Sequence, residues 1–468
     1  MNRPVTNFGG NVRFAPRHAY EPRTEAEVLE ILDRHAGGKV RVVGALHSWN
    51  PGVVTDDALI DLRHFKSVRV ERSADNSVSV VVGAGCRVKH LLDELHRQSD
   101  HTLPSLGLIT EQAVGGAIAT ATHGSGKHSL SHYVTEMRVA AYDPDTDKPR
   151  ICTWGESDPE LPAARCALGC MGVVLSVRFR CIPRYDVEEV MRECATLDEV
   201  LAREEQYPLQ QFFLVPHRWM YFAQRRVATE QLRPRGLKAR LFRAWWFVGI
   251  DLGLHLIIKG LVSVAKHPPL TRWFFRRVLS KLVLKDVTVV DRAERMLVME
   301  HELFRHLEIE LFVPARHLPA AAAFARATLD AFAGTDTDLS PIPDGDLRDE
   351  LLRRLGTFTH HYPVTFRRVL PDDTLISPTA GATEPWYAIS FITYVEPREP
   401  FYALAAFLAK GTARLFQARI HWGKYFPLGP VEVAASYPRL AEFRALCDRV
   451  DPRGVFRNEF AARVLFGS

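Results

Sequence analysis

The sequence predicts an α+β fold made of two domains. The chain has 468 residues, of which 47% are hydrophobic and 25% charged, which is enough for two separate cores in a globular protein. Predicted helices and strands follow one another irregularly in the first part of the chain, unlike the regular repeat of a doubly wound sheet. No Gly-x-Gly-x-x-Gly motif follows the first predicted strand, which argues against a nicotinamide site of the Rossmann type.

Local signals predict the elements of the first part of the chain. Thr24 and Glu27 form a capping box that begins a helix ending near Arg34. A second, amphipathic helix is expected over residues 88–97, where leucines share one side. Apolar or alternating runs predict strands at 40–43, 58–62, 77–82, 134–142 and 173–181.

Two segments rich in small residues carry the strongest functional signal. The first is a buried strand that runs into a turn presenting a histidine, Val40–Asn50, and the second is the Gly/Ala/Ser/Thr-rich stretch Thr110–Gly126. Small side chains let backbone N–H groups approach a ligand closely, and such backbone nests favour a diphosphate. His47 adds a nucleophilic ring nitrogen at the mouth of the first loop.

Two further motifs lie near the C-terminus: His-Trp-Gly-Lys at 421–424, and Asp-Pro-x-x-x-Phe-x-Asn at 451–458. Together with the two loops, in this order, they resemble the vanillyl-alcohol oxidase superfamily with its PCMH-type FAD-binding domain. The most similar branch is the aldonolactone and alditol oxidases, such as the L-gulonolactone, D-arabinono-1,4-lactone and xylitol oxidases. In that branch Gly-His-Ser ends the first loop, whereas Leu46 precedes His47 here.

The resemblance implies a division of the chain. Residues 1–185 would form the FAD-binding domain, and 186–415 a substrate (cap) domain with a basic, hydrophobic insertion at 232–285. Residues 416–468 would return to the FAD and active-site region.

The resemblance also implies the cofactor site. FAD would be bonded covalently to His47, which prevents its loss and raises its reduction potential. The stretch 168–174 is expected to back the adenine end of FAD. The other predicted cofactor contacts are Val43, Gly44, Ala45, Leu46, Ser48, Trp49, Gly115, Gly116, Ala117, Thr120, Thr122, His123, Gly124, Ser125, Gly126, Lys127, His128, Val173, Val174 and Asn458.

The catalytic residues implied by the resemblance are Arg367, Lys424 and His421. A cation beside the flavin or the substrate oxygen would stabilise the negative charge formed during reduction. Two substrate-binding positions depart from the family pattern: Thr365 stands where relatives carry glutamate, and Phe391 where relatives often carry histidine. Both changes make the pocket less polar, which should weaken the binding of a small hydrophilic substrate.

The sequence therefore predicts an FAD-dependent oxidoreductase that oxidises a CH–OH group of a polyol or aldono-1,4-lactone. Dioxygen or a membrane electron carrier would accept the electrons. The alternative is the same chemistry on an amphiphilic or lipid-linked substrate at a membrane surface, and a third possibility is a flavin-bearing membrane-associated protein without turnover. A panel of sugar and lipid alcohols would separate them.

The cysteines and the first residues of the chain indicate the cellular compartment and whether a metal site is expected. The seven cysteines form no Cys-x-x-Cys pair, and Cys166 and Cys170 are spaced for one helix face. Buried, reduced thiols and no metal site are expected, as in a cytoplasmic protein. Residues 1–5 lack the apolar segment of a signal peptide.

Positive charge is concentrated in the insertion. Between Arg233 and Lys285 twelve Lys and Arg accompany one acid, Asp251, so this interval carries +11 and the rest of the chain −6. Such asymmetry predicts a local anionic partner, and nucleic acid is not among the predicted partners.

The insertion also contains an apolar stretch, 244–265, long enough to suggest a membrane span. Spanning would bury ionic groups in hydrocarbon at a cost of several kcal/mol, so we predict that 232–285 lies on an anionic membrane surface without crossing it. A buried cap helix or an oligomer contact is the alternative. Polar residues recur every four positions and form one helical stripe: Asp251, His255, Lys259 and Ser263.

Overall fold

The computed structural model describes residues 4–230, 237–299, 304–394 and 398–467. Helices and mixed sheets confirm the predicted α+β class. The predicted helices occur at Glu25–Arg34 and Val88–Gln98. The hydroxyl of Thr24 accepts a hydrogen bond from the Glu27 N–H, as the capping box predicts.

The first part of the chain contains a parallel and an antiparallel sheet. The parallel sheet has three strands, in the order His18–Tyr20, Ala58–Asp61, Val40–Val43. The antiparallel sheet has five, in the order Pro149–Gly155, Val134–Tyr142, Val173–Arg180, Val78–Gly83, Val68–Arg72. Two separate two-stranded sheets pair Val5–Thr6 with Arg13–Phe14 and His101–Thr102 with Ile182–Pro183. Further helices lie at Val114–Ala119, Leu130–Tyr133 and Glu160–Ala164.

An eight-stranded antiparallel sheet dominates the second part of the chain. Its strand order is Val289–Arg292, Asp186–Cys194, Met220–Thr229, Gln211–Val215, Val364–Val369, Trp386–Thr393, Leu307–Pro314, Arg419–Ile420. Two long helices, Leu318–Phe332 and Glu399–Phe416, pack together beside it, with the rings of Phe324 and Phe407 5.9 Å apart. The short helices of this part lie at Leu197–Leu201, Ala293–Met296, Ala315–His317, Gly345–Leu352, Pro430–Ser436, Leu440–Val450, Glu459–Ala461 and Ala462–Phe466.

Most described residues of the insertion are helical. Residues 231–236, with Arg233 and Arg235, lie outside the described residues. Consecutive α and π turns form one helix, Leu237–Trp245, Trp246–Leu254, His255–Lys259 and Gly260–Ala265. Two shorter helices follow, Pro268–Arg277 and Leu279–Leu282. Hereafter the insertion helix means Leu237–Ala265.

The cysteine prediction is correct in one respect and wrong in another. All seven cysteines are free, and every one except the half-buried Cys152 is buried. Cys166 and Cys170 do not share a helix face, because the helix Glu160–Ala164 ends before them and both lie in turns. Burial raises the pKa of both thiols, which keeps them protonated and unreactive.

Candidate active site

The two loops rich in small residues face each other across one cavity, which we call the cofactor cavity. Its wall includes residues predicted to bind FAD: Val43, Gly44, Ala45, Leu46, His47, Ser48, Trp49, Gly115, Gly116, Thr120 and Val174. The loops approach so closely that a Cβ added to Gly44 would lie 2.6 Å from the Ala113 Cβ. At Gly116 the same Cβ would meet no atom within 4 Å, because this residue borders the open cavity. A group bound there would therefore lie directly against backbone.

Leu46 adopts a backbone conformation that favours glycine. Its φ of 58° lies in the left-handed region, at the position where the resembled family carries glycine. A non-glycine residue there costs on the order of 1 kcal/mol. The strain is held by neighbouring contacts, since the Leu46 carbonyl accepts a hydrogen bond of 2.7 Å from the Phe8 N–H. The loop thus keeps its shape despite the leucine.

The His47 ring is fixed on two sides. Its Nδ1 lies 3.0 Å from the Ala45 carbonyl oxygen, and its ring stacks on Phe8 with the centroids 5.1 Å apart. Two residues further on, the backbone N–H of Trp49 donates a hydrogen bond of 2.9 Å to the Gly423 carbonyl. This joins the histidine loop to the C-terminal His-Trp-Gly-Lys segment.

Several predicted cofactor residues lie elsewhere, and each has a physical reason. Ala117 and Val173 point into hydrophobic core. The stretch Gly124–His128 packs on the eight-stranded sheet instead: the Gly126 N–H donates to the Arg368 carbonyl at 2.7 Å, and Lys127 bridges Val369. In the same stretch, the Ser125 hydroxyl donates a hydrogen bond to the Gln210 carbonyl, and the His128 Nδ1 contacts the Pro371 carbonyl.

Three more residues that were predicted to contact FAD lie outside the wall of the cofactor cavity: Asn458, Thr122 and His123. Asn458 accepts a hydrogen bond from the Ala461 N–H at the start of the Glu459–Ala461 helix and donates to the carbonyls of Pro51 and Val54, so it holds the loop behind the cofactor cavity. Thr122 and His123 face a second cavity, about 120 Å³ in volume, which we call the reaction chamber.

The reaction chamber is built on one row of the eight-stranded sheet. Glu310 pairs with Ser390, Ser390 with Thr365, and Thr365 with Phe213 across four neighbouring strands. Alternation along a strand places these side chains on one face. The chamber shares Gln112, His421 and Lys424 with the cofactor cavity. A substrate on this row would therefore adjoin whatever occupies the cofactor cavity.

Phe391 does not line the chamber. It is fully buried on the opposite face of its strand, with its ring 5.8 Å from that of His360. Its neighbour Ser390 lines the chamber, and its hydroxyl lies 2.8 Å from the Glu310 carboxylate. The prediction for Phe391 was wrong by one residue, and a one-residue shift exchanges the two faces of a strand. Thr365 does line the chamber.

Lys424 forms a buried ion pair with Glu308. Its Nζ lies 2.5 Å from the Glu308 carboxylate and 4.6 Å from the centroid of the Trp49 ring. Burial opposes the charged form of Glu308, but Lys424 prevails and holds the pKa of that carboxyl well below its usual range. The chamber thus holds a paired positive charge next to the cofactor cavity.

Glu310 lies between two histidines and an arginine. The His123 Nε2 lies 3.6 Å and the Arg367 Nη1 3.5 Å from its carboxylate. Burial opposes ionisation, yet the neighbouring His123 keeps the pKa of Glu310 well below its usual range. A second bond holds Arg367 in place, from its Nε to Gln211 at 3.0 Å. All three predicted catalytic residues, Arg367, His421 and Lys424, therefore line one chamber.

His123, Glu310 and His421 offer ligand atoms within 4.8 Å of one another, as a metal site requires. The hydrogen bonds favour a different use. The His421 Nδ1 accepts the Gly423 N–H at 2.9 Å, so the neutral ring carries its proton on Nε2, where a metal would need a lone pair. Burial lowers the pKa of His421 to about 3, which keeps that ring neutral. The cluster is therefore arranged for hydrogen bonding around an ionised carboxylate and not for binding a metal ion.

Beyond Thr365 and Arg367 lies a third cavity of about 280 Å³, which we call the apolar chamber. It shares eight wall residues with the reaction chamber: Leu108, Asp251, His255, Met299, Tyr362, Thr365, Arg367 and Ile392. The sheet supplies Met191, Phe213 and Phe222, and the insertion helix supplies Phe242, Trp246, Ile250, Leu254 and Ile258. The insertion thus forms a wall of the site.

Two of the four residues of the polar stripe on the insertion helix face these chambers. Asp251 and His255 line both, and the His255 Nδ1 lies 2.6 Å from the Tyr394 hydroxyl oxygen. Burial lowers the pKa of His255 to about 4, so this imidazole is neutral near pH 7. Sequence reasoning found the stripe but assigned it no role in the site.

Sequence reasoning also missed Glu308 and Glu310. Both lie on the strand Leu307–Pro314, where acids alternate with Leu307, Ile309 and Leu311. Two acids at alternate positions of an apolar strand place carboxylates on one buried face. That pattern was the available signal.

Comparison with known proteins gives a consistent result. The family model described as D-arabinono-1,4-lactone oxidase matches residues 177–464, and one described as FAD binding domain matches residues 16–145. A long-chain alcohol oxidase of an uncultured marine euryarchaeote is 45% identical, over 98% of this chain and 96% of that protein. L-gulonolactone oxidase of Mus musculus is 25% identical, over 98% of each. Cholesterol oxidase from B. sterolicum shares the fold, with a TM-score of 0.77 at 16% identity, over 99% of this chain and 97% of that one.

Replacing Gly116 with alanine should expel the cofactor without unfolding the protein. The new methyl group would enter the cofactor cavity, whereas the helix Val114–Ala119 gains a better helix former. We expect flavin content, measured by absorbance, to fall at least tenfold while the thermal midpoint of the flavin-free protein stays the same or rises. Gly37→Ala is the matched control, since its Cβ also meets open space but lies far from the cavity. Full flavin content in Gly116→Ala would show that FAD binds elsewhere.

Proposed function

The chain belongs to the D-arabinono-1,4-lactone oxidase family of FAD-dependent oxidoreductases, and from that membership we propose that it oxidises the hydroxyl-bearing carbon of a long-chain, amphiphilic alcohol. The observation that carries the proposal is the apolar chamber of about 280 Å³, which shares walls with the reaction chamber. The hydroxyl end would lie on the polar row of the sheet, and the chain would lie along the apolar part of a wall that also includes Glu189, Arg226, Arg243 and Arg295.

The chemistry of the walls supports an apolar chain. Met191, Phe213 and Phe222 face the insertion helix across the chamber, and burying a chain among such groups is favourable by about 0.8 kcal/mol per methylene. The long-chain alcohol oxidase that is 45% identical to this chain carries a name of the same substrate class. This substrate is the amphiphilic alternative predicted from the sequence.

A polyol or aldono-1,4-lactone is the second candidate, because the reaction chamber itself is polar. Glu310, Ser390 and Arg367 offer acceptors and donors for hydroxyl groups. Thr365 supplies only a hydroxyl where sugar-oxidising relatives carry a carboxylate, and a site lacking such a partner discriminates poorly for a polyhydroxylated substrate. The apolar chamber would then have no function in binding.

The residues of the two loops would hold FAD in the cofactor cavity, through backbone N–H groups near Gly44, Gly115 and Gly116, with His47 as the covalent attachment. Bound FAD would accept two electrons with the hydrogen of the alcohol carbon. Lys424 and Arg367 would stabilise the negative charge that develops on the substrate oxygen and on the adjacent cofactor. The hydroxyl proton would pass to the Glu310–histidine cluster, where the carboxylate is ionised.

The covalent link to His47 can be tested directly. After denaturation in acid, flavin fluorescence should remain on the polypeptide of the wild type and be absent from His47→Ala, because the variant lacks the attachment atom. His18→Ala, an exposed histidine outside the cavity, is the control and should keep its fluorescence. Release of all flavin from the wild type, or retention in His47→Ala, would contradict the attachment.

Lys424→Ala or Arg367→Ala should slow flavin reduction by substrate roughly 10²–10³-fold, a loss of about 3–4 kcal/mol of charge stabilisation. Stopped-flow absorbance under anaerobic conditions measures this step. Flavin content should stay near that of the wild type. Lys410→Ala removes the exposed pair with Glu350 and should leave the rate unchanged. An unchanged rate in either of the first two variants would exclude that residue from catalysis.

Chain length should govern kcat/KM. Each added methylene should raise it about fourfold, corresponding to about 0.8 kcal/mol, until the apolar chamber is full. Anaerobic flavin bleaching across primary alcohols of increasing length, with xylitol and L-gulono-1,4-lactone alongside, measures this without choosing an electron acceptor. Greater activity on the sugars than on every alcohol would favour the second candidate instead.

The variant Ile250→Trp narrows the apolar chamber. We expect it to reduce activity on long alcohols at least tenfold and to leave short alcohols unaffected, because Ile250 lines only the apolar chamber. Val248→Trp, on the exposed side of the same helix, is the control. Equal losses on short and long alcohols would indicate a general disturbance of the fold.

A further inference from the structure

The insertion helix has two faces of different character. The inner face lines the apolar chamber with Trp246, Ile250, Leu254 and Ile258. The outer face is apolar as well, and it is exposed: Val264 is 82%, Val248 61% and Leu241 59% accessible to solvent. A soluble surface rarely keeps such residues together without a partner.

Exposed apolar side chains are concentrated in this part of the chain. Eight of the eleven large hydrophobic residues that are exposed in the described structure fall within the insertion. They are Leu241, Val248, Leu256, Ile257, Val264, Leu270, Trp273 and Leu282. The patch therefore combines the insertion helix with the two short helices that follow it.

Cations border this patch. Lys266, Arg277 and Lys281 are exposed and form no ion pair with other described residues. Other basic residues of the insertion are engaged with the protein: Arg243 with Asp291, and Lys285 with Glu193. An apolar patch bordered by unpaired cations is complementary to a bilayer with anionic headgroups, where each such cation contributes to binding.

The helix is anchored to the domain beneath it, which excludes a spanning arrangement in this fold. Ala239–Ala265 is long and apolar enough, by length and composition alone, to cross a membrane. Yet His255 is bonded to Tyr394, and Asp251 faces the chambers. Crossing would strip both groups from these sites and bury them with Lys259 in hydrocarbon, at a cost of several kcal/mol. An orientation in the plane of the bilayer retains every inner contact.

We propose that the outer face of the insertion docks on an anionic lipid bilayer, and that the alcohol enters the apolar chamber from that bilayer. The entry route rests on the proposed function; the docking does not. The inner and outer faces are separated by only one helix, about 10 Å thick. A chain leaving the lipid at this patch would need to pass only that helix to reach the chamber, with its hydroxyl directed towards Arg367.

Vesicle flotation of the flavin-loaded protein tests the docking. With vesicles of phosphatidylglycerol and phosphatidylcholine at low salt, most of the protein should float, and with pure phosphatidylcholine much less should. Val248→Asp/Val264→Asp should reduce the floating fraction at least tenfold, and Lys266→Ala/Arg277→Ala/Lys281→Ala should reduce it about as strongly. Val431→Asp is the control, because Val431 is 78% exposed on a different helix, and it should float like the wild type.

Two outcomes would overturn the proposal. One is wild-type protein that ignores anionic vesicles. The other is a wild-type dimer by light scattering that Val248→Asp/Val264→Asp converts to monomer without any change in flotation, since the patch would then bind a second copy. For the entry route, the same double variant should lose activity on a long alcohol in anionic vesicles at least fivefold while keeping wild-type activity on a soluble short alcohol. Loss on both substrates would contradict the route, and absence of alcohol oxidation by the wild type would overturn the proposed function while leaving the flotation result standing.

Discussion

The buried ion pair between Lys424 and Glu308 connects the three parts of the chain on which the site depends. Lys424 belongs to the C-terminal segment, Glu308 to the eight-stranded sheet, and Trp49, whose ring lies beneath the ammonium, to the histidine loop. Breaking a buried pair leaves an uncompensated charge and typically costs 3–5 kcal/mol. The backbone bond from Trp49 to Gly423 adds a second link between the same segments. The backbone bond holds the histidine loop beside the reaction chamber independently of the Lys424 side chain, and the ion pair places its charge there.

The chemistry of the chamber follows from one property of an antiparallel sheet, the alternation of its side chains. Glu310, Ser390 and Thr365 lie side by side because their strands are in register. A carboxylate so deeply buried is tolerable only with several partners, and Glu310 has Ser390, Arg367 and His123. In the proposed function, the same partners that stabilise this charge would also place donors around the substrate oxygen, so stability and reactivity would depend on the same contacts.

Local patterns in the sequence predicted most of the first part of the fold and the family. The helix after Thr24, the strands at 40–43 and 134–142, and the two loops agree with the structure because their signals are local. The predictions failed where packing between distant segments decides. Nothing local in Gly124–His128 indicates that it packs on the eight-stranded sheet, and nothing local at Phe391 indicates that its neighbour faces the chamber. The position of Glu308 and Glu310 in the site depends on pairing with strands that lie 50 to 110 residues away in the sequence.

The insertion adds an apolar cavity wall beside the polar row of the sheet, which is the arrangement that the proposed long-chain substrate requires. A change of a polar residue on the sheet, as at Thr365, only removes a hydrogen-bonding partner for a sugar hydroxyl. It adds no apolar surface against which a hydrocarbon chain could pack. A helix packed over the sheet adds an apolar wall on its inner face, and it places Asp251 and His255 in the walls of both chambers. Such a helix cannot bury its outer face against the same domain. The exposed apolar patch therefore results from covering the chamber with a single helix. In the proposed docking, contact with a lipid surface makes that exposure favourable.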